Sequence, residues 1–365
     1  MQIVYRYNHS SACYMKKQKL TYGTTNKLLI AAIAVGIVAI VMSSYAILNP
    51  QVRVVYRNVT ANASTVQGYN ITGSLLEPPT SFPDAPVITQ NQSFGSRLTN
   101  INAQFNASEL AVINNAPNSY FEQAGEMLLN GTLNNTVGTA TKKLPIFSVN
   151  GKPTVLYLGS ITCIFCGENR WAMAMALSRF GSFSHLFKGY SSLGDGDMPT
   201  LYWAPAHYNS SSTVFGNFYQ SNLINFVSIE DANPISGGFS LNPMSLIQQR
   251  VNQTKNTVYT DALSYLISTN DFSGTPFTVW GSYEVGGADA VIFGNNTNKE
   301  GTAPLQHMTH HDVLSQFAQS NDQFALSEYA AADVYVALMC KTLNNTPSVC
   351  TAIPSIQAIE TKMGL

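Results

Sequence analysis

Cys163 and Cys166 stand two residues apart at the joint between two unlike runs. Before them, "KPTVLYLGS" is β-branched and aromatic, and apolar without clean alternation, the pattern of a central strand buried on both faces. After them, "ENRWAMAMALSRF" is rich in helix formers and apolar nearly all round, which predicts a buried helix. A strand feeding a buried helix through Cys-x-x-Cys points to an α/β architecture with a reactive pair at its joint.

Three chemistries are open to that pair: redox couple, metal ligands or structural clip. At the first turn of a helix, free N–H groups and the helix dipole stabilise the thiolate, which is the attacking species in disulfide exchange. Cys166, one turn on, is placed to resolve a mixed disulfide. A structural metal site normally needs more soft ligands, and the chain has no second Cys-x-x-Cys. We therefore take Cys163 and Cys166 as the catalytic pair and expect neither metal nor cofactor. The intervening Ile164 and Phe165 bring no cation to depress a thiol pKa. Glu168 and Arg170 read as a solvated pair on the helix, and Trp171 reads as core.

Charged residues are only 11% of the composition. The first 49 residues carry five basic residues and no acidic one, whereas the rest is net acidic and rich in Asn. That balance argues against a nucleic-acid partner. Residues 28–48, "LLIAAIAVGIVAIVMSSYAIL", are uncharged and would span about 31 Å as a helix, enough to cross a bilayer core. We expect a single transmembrane helix there, with residues 1–27 cytoplasmic and the remainder extracytoplasmic by the positive-inside rule. Ser44-Tyr45-Ala46 also fits a signal-cleavage site. Met15 is an alternative start, and Cys13 is given no role. Asn-x-Ser/Thr triplets recur along the body, among them those at Asn70, Asn106, Asn130, Asn252 and Asn344, which fits a surface glycoprotein.

Residues 49–104, with "EPPTSFPDAP", read as a disordered stalk. Residues 105–365 form the expected extracytoplasmic domain. Helices are expected over "NASELAVINN", capped by Asn106 or Ser108, and from about Ser119 to Gly131. "PIFSVNG" reads as a strand and a turn, "TLYWAP" and "INFVSIE" as strands, and residues 243–256 and 258–269 as a helical pair. "SGTPFTVWGSYEV" and "DAVIFGN" read as strands joined at Gly286-Gly287. "THHD" starts a helix, with Thr309 as cap and Asp312 completing a capping box, in preference to metal binding by His307, His310 and His311. Cys340 and Cys350 suit a structural disulfide outside the cytoplasm.

Strand, Cys-x-x-Cys, helix, further strands and helices, then "TPF" before a hairpin: this order resembles the thioredoxin fold. The distance from Cys166 to Pro276 makes it similar to the larger oxidoreductases of the DsbA type, with a helical insert here spanning about 181–272. The resemblance implies that the Thr275–Pro276 bond is cis and lies against the Cys163 sulfur. Thr275 and Pro276 would then meet substrate, leaving polar backbone free to pair with an extended peptide. Thioredoxin's buried aspartate, six residues before the first cysteine, is replaced by Tyr157, so its proton-relay role is not carried over.

"NNAPNSYFEQAGEMLLNG", "NGKPTVLYLGSITCIFCGENRW" and "ALSRFGSF" further resemble an archaeal family of membrane-anchored, thioredoxin-like proteins catalogued as domain of unknown function 929. That resemblance implies a fold and a topology, and brings no activity. The leading expectation is an anchored extracytoplasmic thiol–disulfide oxidoreductase acting on thiols of surface or secreted proteins. A non-catalytic surface module and a copper-handling protein using both cysteines and a nearby histidine are the alternatives.

Overall fold

A computed structural model describes residues 68–78, 101–133, 144–191, 198–206, 212–232, 244–269, 275–286, 305–306, 308–319 and 321–365. Local chemistry accounts for many of its elements. β1 (Tyr69–Ile71) is followed by α1 (Ala107–Asn114), where Asn106 accepts from the Glu109 N–H and its own N–H donates back to Glu109, a full capping box. α2 (Asn118–Leu129) gives way to Gly131 at φ +79°. β2 (Phe147–Val149) and β3 (Lys152–Ser160) form a hairpin across Asn150 and Gly151, both at positive φ, as a two-residue type I′ turn requires.

α3 (Ile164–Ser178) then starts with Cys163 as its N-cap. Five short strands follow: β4 (Ser182–Phe183), β5 (Phe187–Ser191), β6 (Met198–Tyr202), β7 (Ser212–Phe215) and β8 (Tyr219–Gln220). β9 (Asn225–Ala232), α4 (Met244–Gln253) and α5 (Thr257–Ser268) lead to the hairpin of β10 (Phe277–Trp280) and β11 (Tyr283–Gly286). α6 (His310–Phe317), α7 (Gln323–Thr342), α8 (Val349–Ala352) and α9 (Pro354–Met363) complete the described elements. The Thr309/Asp312 capping box opens α6.

β3 organises a mixed sheet. It pairs in parallel with β9 and antiparallel with β10, which continues to β11; β2 and β1 extend from its start, and β7 borders β9. Val155 and Tyr157 face one core, beneath α3 and α7, while Leu156 and Leu158 face a second core that includes α4 and α5 residues. Burial on both faces is why this strand's sequence is apolar without alternation. α7 is buried at every residue from Phe324 to Cys340, and α2, α3 and α9 pack around it. The Cys340–Cys350 disulfide ties its last turn to α8.

Several expectations need correction. The described residues form a mixed α/β fold, and among them no helix is long and apolar enough to cross a membrane, so the expected transmembrane helix is not supported. The apolar run of the longest described helix, α7, is broken by Glu328 and Asp333. Residues 28–48, on which the expectation rested, lie outside the described residues.

The expected stalk is not a free tether throughout its length. Tyr69–Ile71 pairs in parallel with Phe147–Val149, and Leu75 and Leu76 pack on the second core. The insert at 181–272 is not merely helical: it carries β4 to β9, including the parallel neighbour of β3. The hairpin turns at Gly281-Ser282, because Gly281 supplies φ +62°; "DAVIFGN" and Gly287 lie outside the described residues.

Candidate functional site

The end of β3, the first turn of α3 and the residues before β10 meet at one place. Cys163 Sγ lies 3.7 Å from the Thr275 carbonyl oxygen, which accepts its S–H, and it accepts from the Cys166 N–H at 3.4 Å. The Thr275–Pro276 bond is cis. Thus Cys163, Cys166 and Thr275–Pro276 come together although more than a hundred residues separate their ends. They do so because β10 lies directly beside β3, Phe277 opposite Leu158.

The two thiols are unbridged and differ sharply. Cys163 remains 6% exposed. Its hydrogen bond with the Cys166 side chain brings its thiol pKa down to about 7 against the opposing effect of burial. The Cys166 N–H, a hydrogen bond from the Thr275 side chain and the Arg170 charge act in the same direction. Burial pushes the Cys166 thiol well up, helped by the bond to Cys163. Cys166 Sγ accepts the Ser160 N–H at 3.4 Å. The arrangement gives an ionisable outer thiol and a neutral inner one, the division that two-step disulfide exchange needs.

Arg170 is not the solvated partner of Glu168. Its side chain is fully buried between α3 and the sheet, 2.6 Å from Glu230 Oε1. Its Nη2 donates to the Ser160 carbonyl at 2.8 Å, and Nη1 to Ser191 Oγ at 3.3 Å. Tyr157 donates to the same Glu230 oxygen at 3.0 Å. Two glycines make the room. A methyl at Gly159 would collide with the Tyr157 hydroxyl, and one at Gly167 would strike Ser191 Oγ.

Glu168 points the other way, buried with neither carboxylate oxygen hydrogen-bonded among the described residues. Residues two apart lie on nearly opposite sides of a helix, so one face of α3 meets the sheet and the other meets α7. Trp171 is core, as expected, and its indole N–H donates to the Pro199 carbonyl.

Sequence reasoning missed Glu230 and Ser160. A signal for Glu230 was present: an acid inside "INFVSIE", a strand that must be buried, on the same face as Phe226 and Ser228. Among the described residues no histidine joins the cysteines in a metal-holding group. The His310 ring is held between the Gly189 and Thr200 carbonyls at 2.9 and 2.8 Å, and burial pulls its pKa down to about 4. His307 lies outside the described residues. Among the described residues no group of three or more His, Cys, Asp or Glu is placed to hold a metal ion.

Residues 144–272 match the family model described as Domain of unknown function (DUF929). The match supports that family over β2 to α5, a stretch that includes both cysteines, Arg170 and Glu230. No curated protein and no solved structure matches the chain.

Proposed function

We propose that the chain is a thiol–disulfide oxidoreductase with a thioredoxin-like site, exchanging disulfides with cysteine-bearing proteins outside the cytoplasm. The geometry carries the reading: Cys163 caps the N-terminus of α3 with its sulfur 3.7 Å from the Thr275 carbonyl oxygen, and the fully buried Cys166 lies one turn inward, an arrangement that lowers the outer thiol and raises the inner one. The Cys163 thiolate attacks one sulfur of a client disulfide. A mixed disulfide forms and the client's other sulfur leaves as a thiolate. Cys166 then loses its proton and attacks the Cys163 sulfur, releasing the second client thiol. The client gains two electrons and the pair becomes a disulfide, and the reverse sequence oxidises a client dithiol.

Thr275, half-buried beside Cys163, and the buried Pro276 would border the incoming chain. An oxidising compartment is supported by the Cys340–Cys350 disulfide and by the exposure of Asn70, Asn106, Asn130, Asn252 and Asn344, each in an Asn-x-Ser/Thr triplet. The competing reading, a non-catalytic surface module, draws on the slight exposure of Cys163.

Titration of the pair against glutathione separates the two readings. A potential above about −250 mV fits a catalytic couple, and one below about −300 mV fits an inert clip and would sink the proposal. Cys166→Ser should accumulate mixed disulfides with a model disulfide substrate, at a rate rising through pH 7 as Cys163 ionises. Cys163→Ser should not.

A further inference from the structure

The most unusual group beside the cysteines is a fully buried cation. A buried ion pair is weak evidence for stability, since well-packed apolar side chains commonly do as well or better. The arrangement around Arg170 suggests a use. Its Nη2 holds the Ser160 carbonyl, and the N–H of that same residue donates to Cys166 Sγ. Its Nε and Nη2 also meet Glu230 Oε1, which Tyr157 holds from the sheet. Glu230 Oε2 has no hydrogen-bond partner among the described residues. The guanidinium therefore has its counter-charge on one side and the backbone that cradles the inner sulfur on another. Its field lowers both thiols.

We propose that Arg170 is a positioning residue, balanced by Glu230, that sets the redox equilibrium of the Cys163–Cys166 pair by stabilising thiolate in its reduced form. The proposal rests on the redox reading above. A couple whose reduced form is stabilised is a stronger oxidant, so removing the cation makes the disulfide harder to reduce, and removing the balancing carboxylate makes it easier. Gly159 belongs to the device, because its missing side chain lets the Tyr157 hydroxyl reach Glu230.

The test compares Arg170→Gln, Arg170→Lys and Glu230→Gln in the full chain. Two quantities are read: the pH at which the Cys163 thiolate absorbance appears, and the equilibrium constant for reduction by glutathione. Arg170→Gln should shift thiolate formation to higher pH and lower the constant about tenfold, the effect of one pK unit. Arg170→Lys, which keeps the charge, should restore most of both. Glu230→Gln should move both in the opposite direction. A purely structural role predicts that Arg170→Gln and Glu230→Gln shift the pair the same way or not at all, and that result overturns the proposal. If Arg170→Gln fails to fold by circular dichroism, the sign of the Glu230→Gln shift alone decides. A wild-type pair that never equilibrates with glutathione sinks the functional reading instead, and the thiolate titration still reports on Arg170.

Discussion

A carboxyl group buried without a counter-charge is held neutral, and α3 and α7 bring two together. Glu168 and Glu328 are both almost wholly buried. Burial raises the Glu168 pKa well above its ordinary value, with the Glu328 charge adding to it. Burial likewise pushes Glu328 up to about 8. The sign of the linkage follows. In the unfolded chain Glu328 gives up its proton near pH 4.5, but in the folded chain it keeps it until about 8. Between those values the folded state binds more protons, so stability falls as pH rises through the window. We predict that urea midpoints of the wild type decline from pH 5 to 8, Glu328 alone contributing on the order of 4 kcal/mol in stability. In Glu328→Gln this decline should flatten markedly. An unchanged slope would show that Glu328 does not titrate in this window. Glu168 also shows why residue-level reading had a limit. Its sequence neighbourhood suggested a salt bridge with Arg170, but which side of α3 meets the sheet and which meets α7 depends on the tertiary arrangement.

At the scale of elements, what could be read from the sequence was what local chemistry decides. The Asn106 cap, the Thr309 capping box, the Asn150-Gly151 turn and the buried β3–α3 joint all follow from residues within a few positions of one another. The hairpin after Pro276 was misplaced because Gly281-Ser282 and Gly286-Gly287 are both adequate turn signals, and pairing of β10 against β3 selects between them. Glu230 became part of the site only through the parallel register that sets it opposite Gly159. The α7–α8 junction allows a separate test. The Cys340–Cys350 bond closes a short loop and should contribute on the order of 3 kcal/mol by restricting the unfolded chain. Replacing both cysteines by Ala should lower stability by about that amount in chemical denaturation. The Cys163 thiolate titration should be unmoved. A change in that titration would mean that the disulfide and the reactive pair are coupled.

The whole molecule depends on contacts between segments far apart in the chain, and residues 68–78 show this most directly. Composition assigned them to a stalk, because Asn, Thr, Ser and Pro dominate the surrounding stretch. The folded chain uses them to extend its sheet. The Tyr69 N–H donates to the Ile146 carbonyl at 2.7 Å, and the Asn150 N–H to the Ile71 carbonyl at 2.8 Å. The Asn150 side chain bonds both backbone groups of Gly73, and Asn70 accepts from the Gly151 N–H. Asn256, the cap of α5, donates to the Ser74 carbonyl. Ile71, Leu75 and Leu76 pack on the core beneath α4 and α5. Three half-buried aliphatic side chains at roughly 1 kcal/mol each give a contribution on the order of 3 kcal/mol, before any unpaired backbone is counted. A chain beginning at residue 101 should therefore unfold at clearly lower urea than one beginning at residue 61. Its amides in β2 and around Asn150 should also exchange faster, because both lose their partners. Equal midpoints for the two chains would mean that the segment only rests on a domain already complete without it.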